Sequence, residues 1–188
     1  MFDERLDRAR ALLDRFGADV LLLSVGADLP YLTGYRAMPL ERLTMLVVGA
    51  GGAAELLVPE LEAPRVEPQP GFVIHPWGET EDPVALAAAA VGSARRALIG
   101  DTTWSIFLLR LQRALPDTRF ASASPLTREL RMRKDDREIN ALRRAAEATD
   151  RVVARLGATK FSARTERDLA RDIAAWTVDE GHDEATFS

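Results

Sequence analysis

No cysteine occurs among the 188 residues. That removes disulfides, thiolate zinc sites and cysteine nucleophiles together. Histidine is nearly as scarce: His75 and His182 are the two present. Neither falls in a His-x-x-x-His, a His-Glu-x-x-His or a comparable ligand spacing. A strong net charge is also missing. The 25 basic and 29 acidic residues are interspersed and give a formal charge of −4, which leaves no basic footprint for nucleic acid. Long apolar runs are absent. The longest, Val84 to Val91, is mostly alanine and far too short to span a bilayer. The start, Met1-Phe2-Asp3-Glu4-Arg5, is charged and lacks the apolar core of a signal peptide. These absences set the expectation of a soluble cytoplasmic protein with neither nucleic acid nor membrane as partner.

What is present predicts a folded chain. Apolar residues make up 47% and charged residues 29%, a balance that buries a core and excludes disorder along the whole length. Phe2, Leu6, Ala9, Leu13 and Phe16 recur at helical spacing, with Asp3 to cap the helix and Gly17 to end it. Asp19 to Ser24 is a short apolar run without alternation, the pattern of a strand covered on both faces. A loop containing Asp28 and Pro30 leads into Tyr31-Leu32-Thr33-Gly34-Tyr35. Leu43 to Val48 and Glu55 to Val58, joined by Gly49-Ala50-Gly51-Gly52, predict a hairpin. Pro59 to Gly71 carries four prolines and reads as a connection.

Phe72 to His75, Ala97 to Asp101 and Arg119 to Ala123 are further strand candidates. Between them, Asp82-Pro83 opens a helix running to about Arg96, and Ser105 to Leu115 forms another, broken by Pro116. Strands alternating with helices predict an α/β fold with a mixed sheet flanked by helices. The character changes near Pro125. Asp135 with Glu138 predicts a capping box. Ile139, Leu142, Ala146, Thr149, Val153 and Leu156 then mark a long helix that Gly157 ends. Thr165-Glu166 opens another, stopped by Gly181. The predicted organisation is a first domain over residues 1–124, a linker over 125–134 and the incomplete start of a second domain over 135–188.

Four features invite a chemical reading and have a plainer one. His182-Asp183-Glu184 is adjacent in sequence, and on extended backbone successive side chains alternate faces, so the three do not converge on one metal. His75 sits beside Pro76-Trp77 and reads as a packed or hydrogen-bonded histidine. The arginines from Lys134 to Arg155 interleave with Asp135, Asp136, Glu138, Glu147 and Asp150, the pattern of a solvated helix face. Gly49 to Gly52 lacks the lysine and the following helix of a phosphate loop.

Tyr31-Leu32-Thr33-Gly34-Tyr35, together with the preceding Gly17-Ala18-Asp19 and its apolar strand, resembles the N-terminal domain shared by creatinase, prolidase and aminopeptidase P. Leu130-Arg131-Met132-Arg133-Lys134 with Glu138-Ile139 and Leu142-Arg143 resembles their bridge into the catalytic domain. Thr165 to Ala170, Gly181 and Phe187-Ser188 resemble the second catalytic-domain helix and the start of the next strand. One departure stands out: Ser162-Ala163-Arg164 occupies a small loop where family members often have glycine.

The resemblance implies a pita-bread catalytic domain and a pair of divalent metal ions (manganese, cobalt or zinc) on aspartate, histidine and glutamate ligands beyond residue 188. No catalytic or metal residue is therefore assigned to this chain. The implied activity is that of an Xaa-Pro dipeptidase or aminopeptidase, with a peptide substrate and a homodimer formed through the N-terminal domain. A non-catalytic dimerisation or interaction module and a creatinase-like amidinohydrolase are the alternatives. The resemblance also bears on the loop from Tyr35 to Arg42, since in prolidases and creatinase a loop near this place reaches the partner's active site. Tyr35, Arg36 and Arg42 are the candidate substrate-handling residues, an arginine there being suited to a peptide carboxylate.

Overall fold

The structure, a computed structural model, describes residues 2–183. Phe187 and Ser188, read above as the start of a strand, lie outside them. The chain divides after Met132 into two compact units.

The first unit is built on β1 (Val20–Leu23), β2 (Met45–Gly49), β3 (Ala54–Pro59), β4 (Phe72–Trp77), β5 (Arg96–Ile99) and β6 (Arg119–Ser122). They form one six-stranded sheet in the order β4-β3-β2-β1-β5-β6. β2 pairs antiparallel with β1 and β3, while the β1–β5, β5–β6 and β3–β4 pairs are parallel. The mixed sheet flanked by helices is the predicted fold.

Its core follows from the pleat. Leu21 and Leu23 point into a cluster with Leu46, Val48, Leu56, Val58 and Leu98. Val20 and Leu22 point into another with Met45, Val47, Leu57, Ala97 and Ile99. Each face needs its own cover, which is why β1 is apolar at every position. The first face is covered by α1 (Phe2–Arg15), α2 (Asp28–Thr33) and α5 (Ser124–Met132), through Leu6, Leu13, Leu32, Leu126 and Leu130. The second is covered by α3 (Pro83–Val91) and α4 (Ser105–Ala114), through Val84, Ala87, Phe107 and Leu111. Each fully buried leucine contributes about 1.5–3 kcal/mol of transfer free energy.

The sequence misjudges several local segments. The stretch with Asp28 and Pro30 is helical, not a loop. Pro30 is the third residue of α2, in the first turn, where backbone N–H groups have no intrahelical acceptor and a missing one costs little. Gly34 ends that helix at φ +76°, its N–H donating to the Pro30 carbonyl at 2.9 Å. α1 begins at Phe2, so Asp3 lies inside its first turn. α3 stops at Val91, short of Arg96, because Gly92 turns the chain at φ +62°. Its start is as expected: Asp82 accepts the Val84 N–H at 2.9 Å and Pro83 opens the helix. Much of the segment read as a linker is α5, which buries Leu126, Thr127 and Leu130. Pro125, which opened that linker, sits in the first turn of α5, where proline is tolerated.

The second unit contains α6 (Asp136–Gly157) and α7 (Glu166–Asp179). Both begin with reciprocal capping boxes. The Glu138 N–H reaches the Asp135 carboxylate at 2.8 Å while Glu138 accepts from the Asp135 N–H at 2.9 Å. Thr165 and Asp168 do the same for α7. Arg151 pairs with Glu180, and Arg155 lies over the Trp176 ring at 5.0 Å. Ala148 and Val152 are the buried positions of α6, while Leu142 and Val153 are 57% and 60% exposed.

The loop that departs from the family's glycine carries the one non-glycine positive φ among the described residues: Ala163, at +63°. The Cβ atom is crowded there, at a cost of roughly 1–2 kcal/mol. Glycine relieves that strain and loses more conformational entropy on folding, roughly 0.4–1 kcal/mol. Ala163→Gly is therefore expected to raise stability by up to about 1 kcal/mol, read as a higher denaturation midpoint. A drop in the midpoint would show that the loop does not hold this conformation in solution.

Candidate functional site

Two adjacent parallel strands, β1 and β5, end side by side. The chain leaves β1 into α2, on one face of the sheet, and leaves β5 into α4, on the other. Connections that part in this way open a crevice at the carboxyl ends of the strands. A crevice of 780 Å³ lies there, lined by Val25 to Ala27 after β1, Thr102 and Trp104 after β5, and Tyr31, Arg36 and Arg131. Its floor is tightly tied. Gly26 has φ +138°, and a Cβ on it would fall 2.6 Å from the Thr102 hydroxyl oxygen. That hydroxyl donates to the Val25 carbonyl at 2.6 Å.

Tyr31 forms one wall and is held from several directions. The Arg5 guanidinium stacks 4.0 Å from its ring centroid and that of Arg131 lies 5.8 Å away. The Tyr31 hydroxyl donates to the Leu130 carbonyl at 3.2 Å, which also accepts from Arg8 at 2.9 Å. Arg131 pairs with Asp28. One aromatic ring thus joins α1, α2 and the last turn of α5.

Of the three residues singled out in the sequence, Tyr35 borders one hollow with Arg36 and another with Arg42, while the two arginines line no hollow in common. Tyr35 is buried, 6% exposed, and its hydroxyl donates to Glu62 at 3.1 Å. Its backbone N–H donates to the Thr33 hydroxyl at 3.1 Å. Arg36 is exposed and lines both the crevice and a neighbouring hollow that includes Phe2, Arg65 and Glu67. Arg42 lines a different, 160 Å³ hollow with Met38, Leu40 and Leu61. It pairs with Glu79 at 2.5 Å, with 33% of the arginine side chain and 69% of the glutamate exposed. Both arginines therefore stand at the surface of the loop; neither is spent on the core.

The structure adds Thr102, Trp104, Tyr31 and Arg131 to the crevice, and sequence reading had not selected them as site residues. Tyr31 was read as packing, which it also does. Thr102 and Trp104 lie in the loop after β5, and their role depends on β1 and β5 being neighbours, a pairing that no local motif encodes. His75 pairs with Glu55 across β4 and β3 at 3.3 Å, both side chains well exposed. Glu184 of the acidic cluster lies outside the described residues. Among the described residues no three His, Asp or Glu side chains are grouped to hold a metal ion. The donor set that a two-metal centre needs is thus not met within them.

The family model for the creatinase/prolidase N-terminal domain matches residues 5–133. The chain belongs to that family. Over its whole length it is 38% identical to the probable dipeptidase PepE of Mycobacterium tuberculosis, covering 51% of that protein. Among solved structures, dipeptidase PepE from Mycobacterium ulcerans superposes at TM-score 0.87 with 36% identity, covering 99% of this chain and 51% of that one. A prolidase from Thermococcus sibiricus superposes at TM-score 0.89 with 27% identity, covering 100% of this chain and 52% of that one. The chain spans about half the length of the curated relatives it matches. No helix among the described residues is long and apolar enough to cross a membrane.

The Tyr35–Glu62 contact gives the loop a measurable signature. Burial, then the hydrogen bond to Glu62, pushes the Tyr35 phenol from 10.0 up to about 12. A phenol whose folded pKa is raised stabilises the fold below the unfolded value. That contribution is lost as pH rises from 10 through about 12. Stability is expected to fall more steeply across that window in the parent chain than in Tyr35→Phe. Phenolate absorbance should show a component near 12 that the variant lacks. Parallel pH profiles for the two proteins would contradict the burial of the hydroxyl.

Proposed function

We propose that this chain is the front portion of a metal-dependent peptidase that hydrolyses the bond preceding proline, in a dipeptide or at a peptide N-terminus. The observation that carries this reading is 36–38% identity across nearly the whole chain to dipeptidases of which it spans half, supported by likeness to a prolidase. On this reading the two metal ions and their ligands belong to the other half of the complete enzyme. The 188 residues fold the domain that borders the substrate and begin the domain that cleaves it. The complete enzyme works in the cytoplasm as a homodimer, and the Tyr35–Arg42 loop closes over a bound peptide. The exposed Met38, Leu40 and Leu61 beside Arg42, at 45%, 43% and 76%, favour a loop that meets another surface.

The chemistry of the loop is specific. An arginine that meets the free carboxylate of a small peptide makes a charge-assisted contact of roughly 1.5–3 kcal/mol. The surface pair of Arg42 with Glu79 is of the kind that contributes at most about 1 kcal/mol to stability. Substrate handling and folding are therefore separable at these positions.

Two measurements test the proposal. The 188-residue chain alone, supplied with manganese, cobalt or zinc, is expected not to hydrolyse an Xaa-Pro dipeptide; chelator-sensitive turnover by it would refute the division of labour. In the enzyme extended through its catalytic half, Arg36→Ala or Arg42→Ala is expected to lower kcat/KM for dipeptides about tenfold or more, with Tm nearly unchanged. Unchanged kinetics in both variants, or a large loss of Tm in either, would reduce the loop to a structural role.

A further inference from the structure

We infer that the polar hollow at the amino ends of β5 and β6 is a binding site for a free amino acid in its zwitterionic form, with Arg95 receiving its carboxylate and Asp117 its ammonium group. The inference goes beyond the peptidase reading and does not rest on it. It concerns the end of these strands opposite the crevice.

The hollow is made by two connections of the same kind. Gly92 to Arg95 joins α3 to β5, and Leu115 to Thr118 joins α4 to β6. They lie side by side because β5 and β6 pair in parallel, with Arg96 opposite Arg119. Hydrogen bonds tie one loop to the other. The Thr118 hydroxyl donates to the Ala94 carbonyl at 2.6 Å, and the Arg119 N–H donates to the Arg95 carbonyl at 2.8 Å. The Arg95 N–H is itself held by the Asp19 carboxylate at 2.7 Å. The backbone under the hollow is thus fixed, and the volume of 710 Å³ lies within the range of small-molecule sites.

Its side chains supply unused polar groups of both signs. Among the described residues, no hydrogen bond or ion pair engages the Arg95 guanidinium, the Asp117 carboxylate or the Ser93 hydroxyl. One cation and one anion stand in the same hollow on separate loops, yet they do not pair with each other. Both α3 and α4 end at its wall, at Val91 and Ala114. The last carbonyls of a helix carry partial negative charge and favour a cation. A ligand that answers this arrangement carries both charges within a few bonds, as an α-amino acid does. Its carboxylate matches the forked donors of Arg95, with the Ser93 hydroxyl as a further donor. Its ammonium group meets Asp117 and the helix-end carbonyls. Leu115 and Pro116 make part of the wall apolar, which suits an aliphatic side chain. A lone anion would face Asp117, and a lone cation would face Arg95, so a ligand with one charge is disfavoured.

The test uses the 188-residue chain and follows the backbone amide NMR signals of Ser93, Arg95, Asp117 and Thr118. L-leucine is titrated beside N-acetyl-leucine, which lacks the ammonium charge, and leucinamide, which lacks the carboxylate. Leucine is expected to shift these signals saturably, with Kd about 1–10 mM, and each blocked form to bind at least about tenfold more weakly. Arg95→Gln should weaken leucine about tenfold and erase its preference over leucinamide, because the carboxylate loses its partner. Asp117→Asn should erase the preference over N-acetyl-leucine in the same way. Arg113 lies in the last turn of α4 and does not line the hollow, so Arg113→Gln should bind like the parent. All three positions are exposed, and an unchanged Tm verifies the fold of each variant.

Signals that stay still up to about 100 mM leucine would overturn the inference. So would equal binding of leucine and its two blocked forms, or a loss on Arg113→Gln as large as that on Arg95→Gln. Saturable shifts that gather at Gly26 and Thr102 in place of these loops would overturn it as well, since they put the ligand in the crevice. Neither Arg36 nor Arg42 lines this hollow, so the kinetics of their variants do not bear on it.

Discussion

Four residues, Val20 to Leu23, bear the packing of both halves of the first unit's core. Every one is buried, and they alternate between the two clusters that fill opposite faces of the sheet. The constraint is geometric. A strand at the centre of a sheet presents side chains to both faces with a period of two, so it has no position to give to water. Everything placed around it follows: β2 on one side, β5 on the other, and helices on both faces. Asp19, just before the strand, fixes the join. Its carboxylate accepts the N–H groups of Arg95 and Arg96 at 2.7 and 2.8 Å, which sets the start of β5 against the start of β1. The crevice is the far end of the same pairing.

The two units hold together by different means. The first is an apolar sandwich with few polar contacts inside it, the chief exception being the Tyr31 ring with two guanidinium groups close to it. Such stacked cations are worth about 0.5–2 kcal/mol each, less than one well-buried leucine core position, yet they tie together three helices that share no turn. In the second unit, the described helices rely on capping boxes and on exposed ion pairs such as Arg151 with Glu180. Helix-end hydrogen bonds of that kind contribute roughly 1 kcal/mol apiece.

Much of this was legible in the residues. The double-covered strand, the hairpin through Gly49, the cap at Asp82 and both boxes of the second unit obey local rules, and local rules are what a sequence displays. Segments were misjudged where proline had two meanings. Pro30 was placed in a loop and Pro125 at a change of character that opens a linker, and both stand in the first turn of a helix. Distinguishing the two cases requires knowing that Leu32 and Leu126 have a sheet to pack against. The crevice was less legible still. Arg36 was visible as a charged loop residue; its neighbours Thr102 and Trp104 come from a loop some 77 residues beyond Val25, judged by the spacing of the Val25–Thr102 hydrogen bond. Proximity of that sort is decided by which strand inserts beside which, and nothing local to Trp104 announces it. Tyr35, chosen for its place in a motif, is buried with its hydroxyl on Glu62 and also borders the hollows of both arginines.

The β1–β5 pairing also has a consequence in time. β2 meets β3 through a tight hairpin, and β1 can meet β2 early, because the connection through α2 is far shorter than the stretch that leads to β5. Its other edge stays open until β5 arrives, and the anchoring contact spans 77 residues between Asp19 and Arg96. Closing so long a loop costs entropy before any contact rewards it. During synthesis the chain therefore passes through a stage in which a wholly apolar strand is paired on one side and bare on the other. An edge of that kind is a template for pairing with other chains. The strand that anchors the finished fold is thus also its most vulnerable element while the ribosome is still delivering the rest.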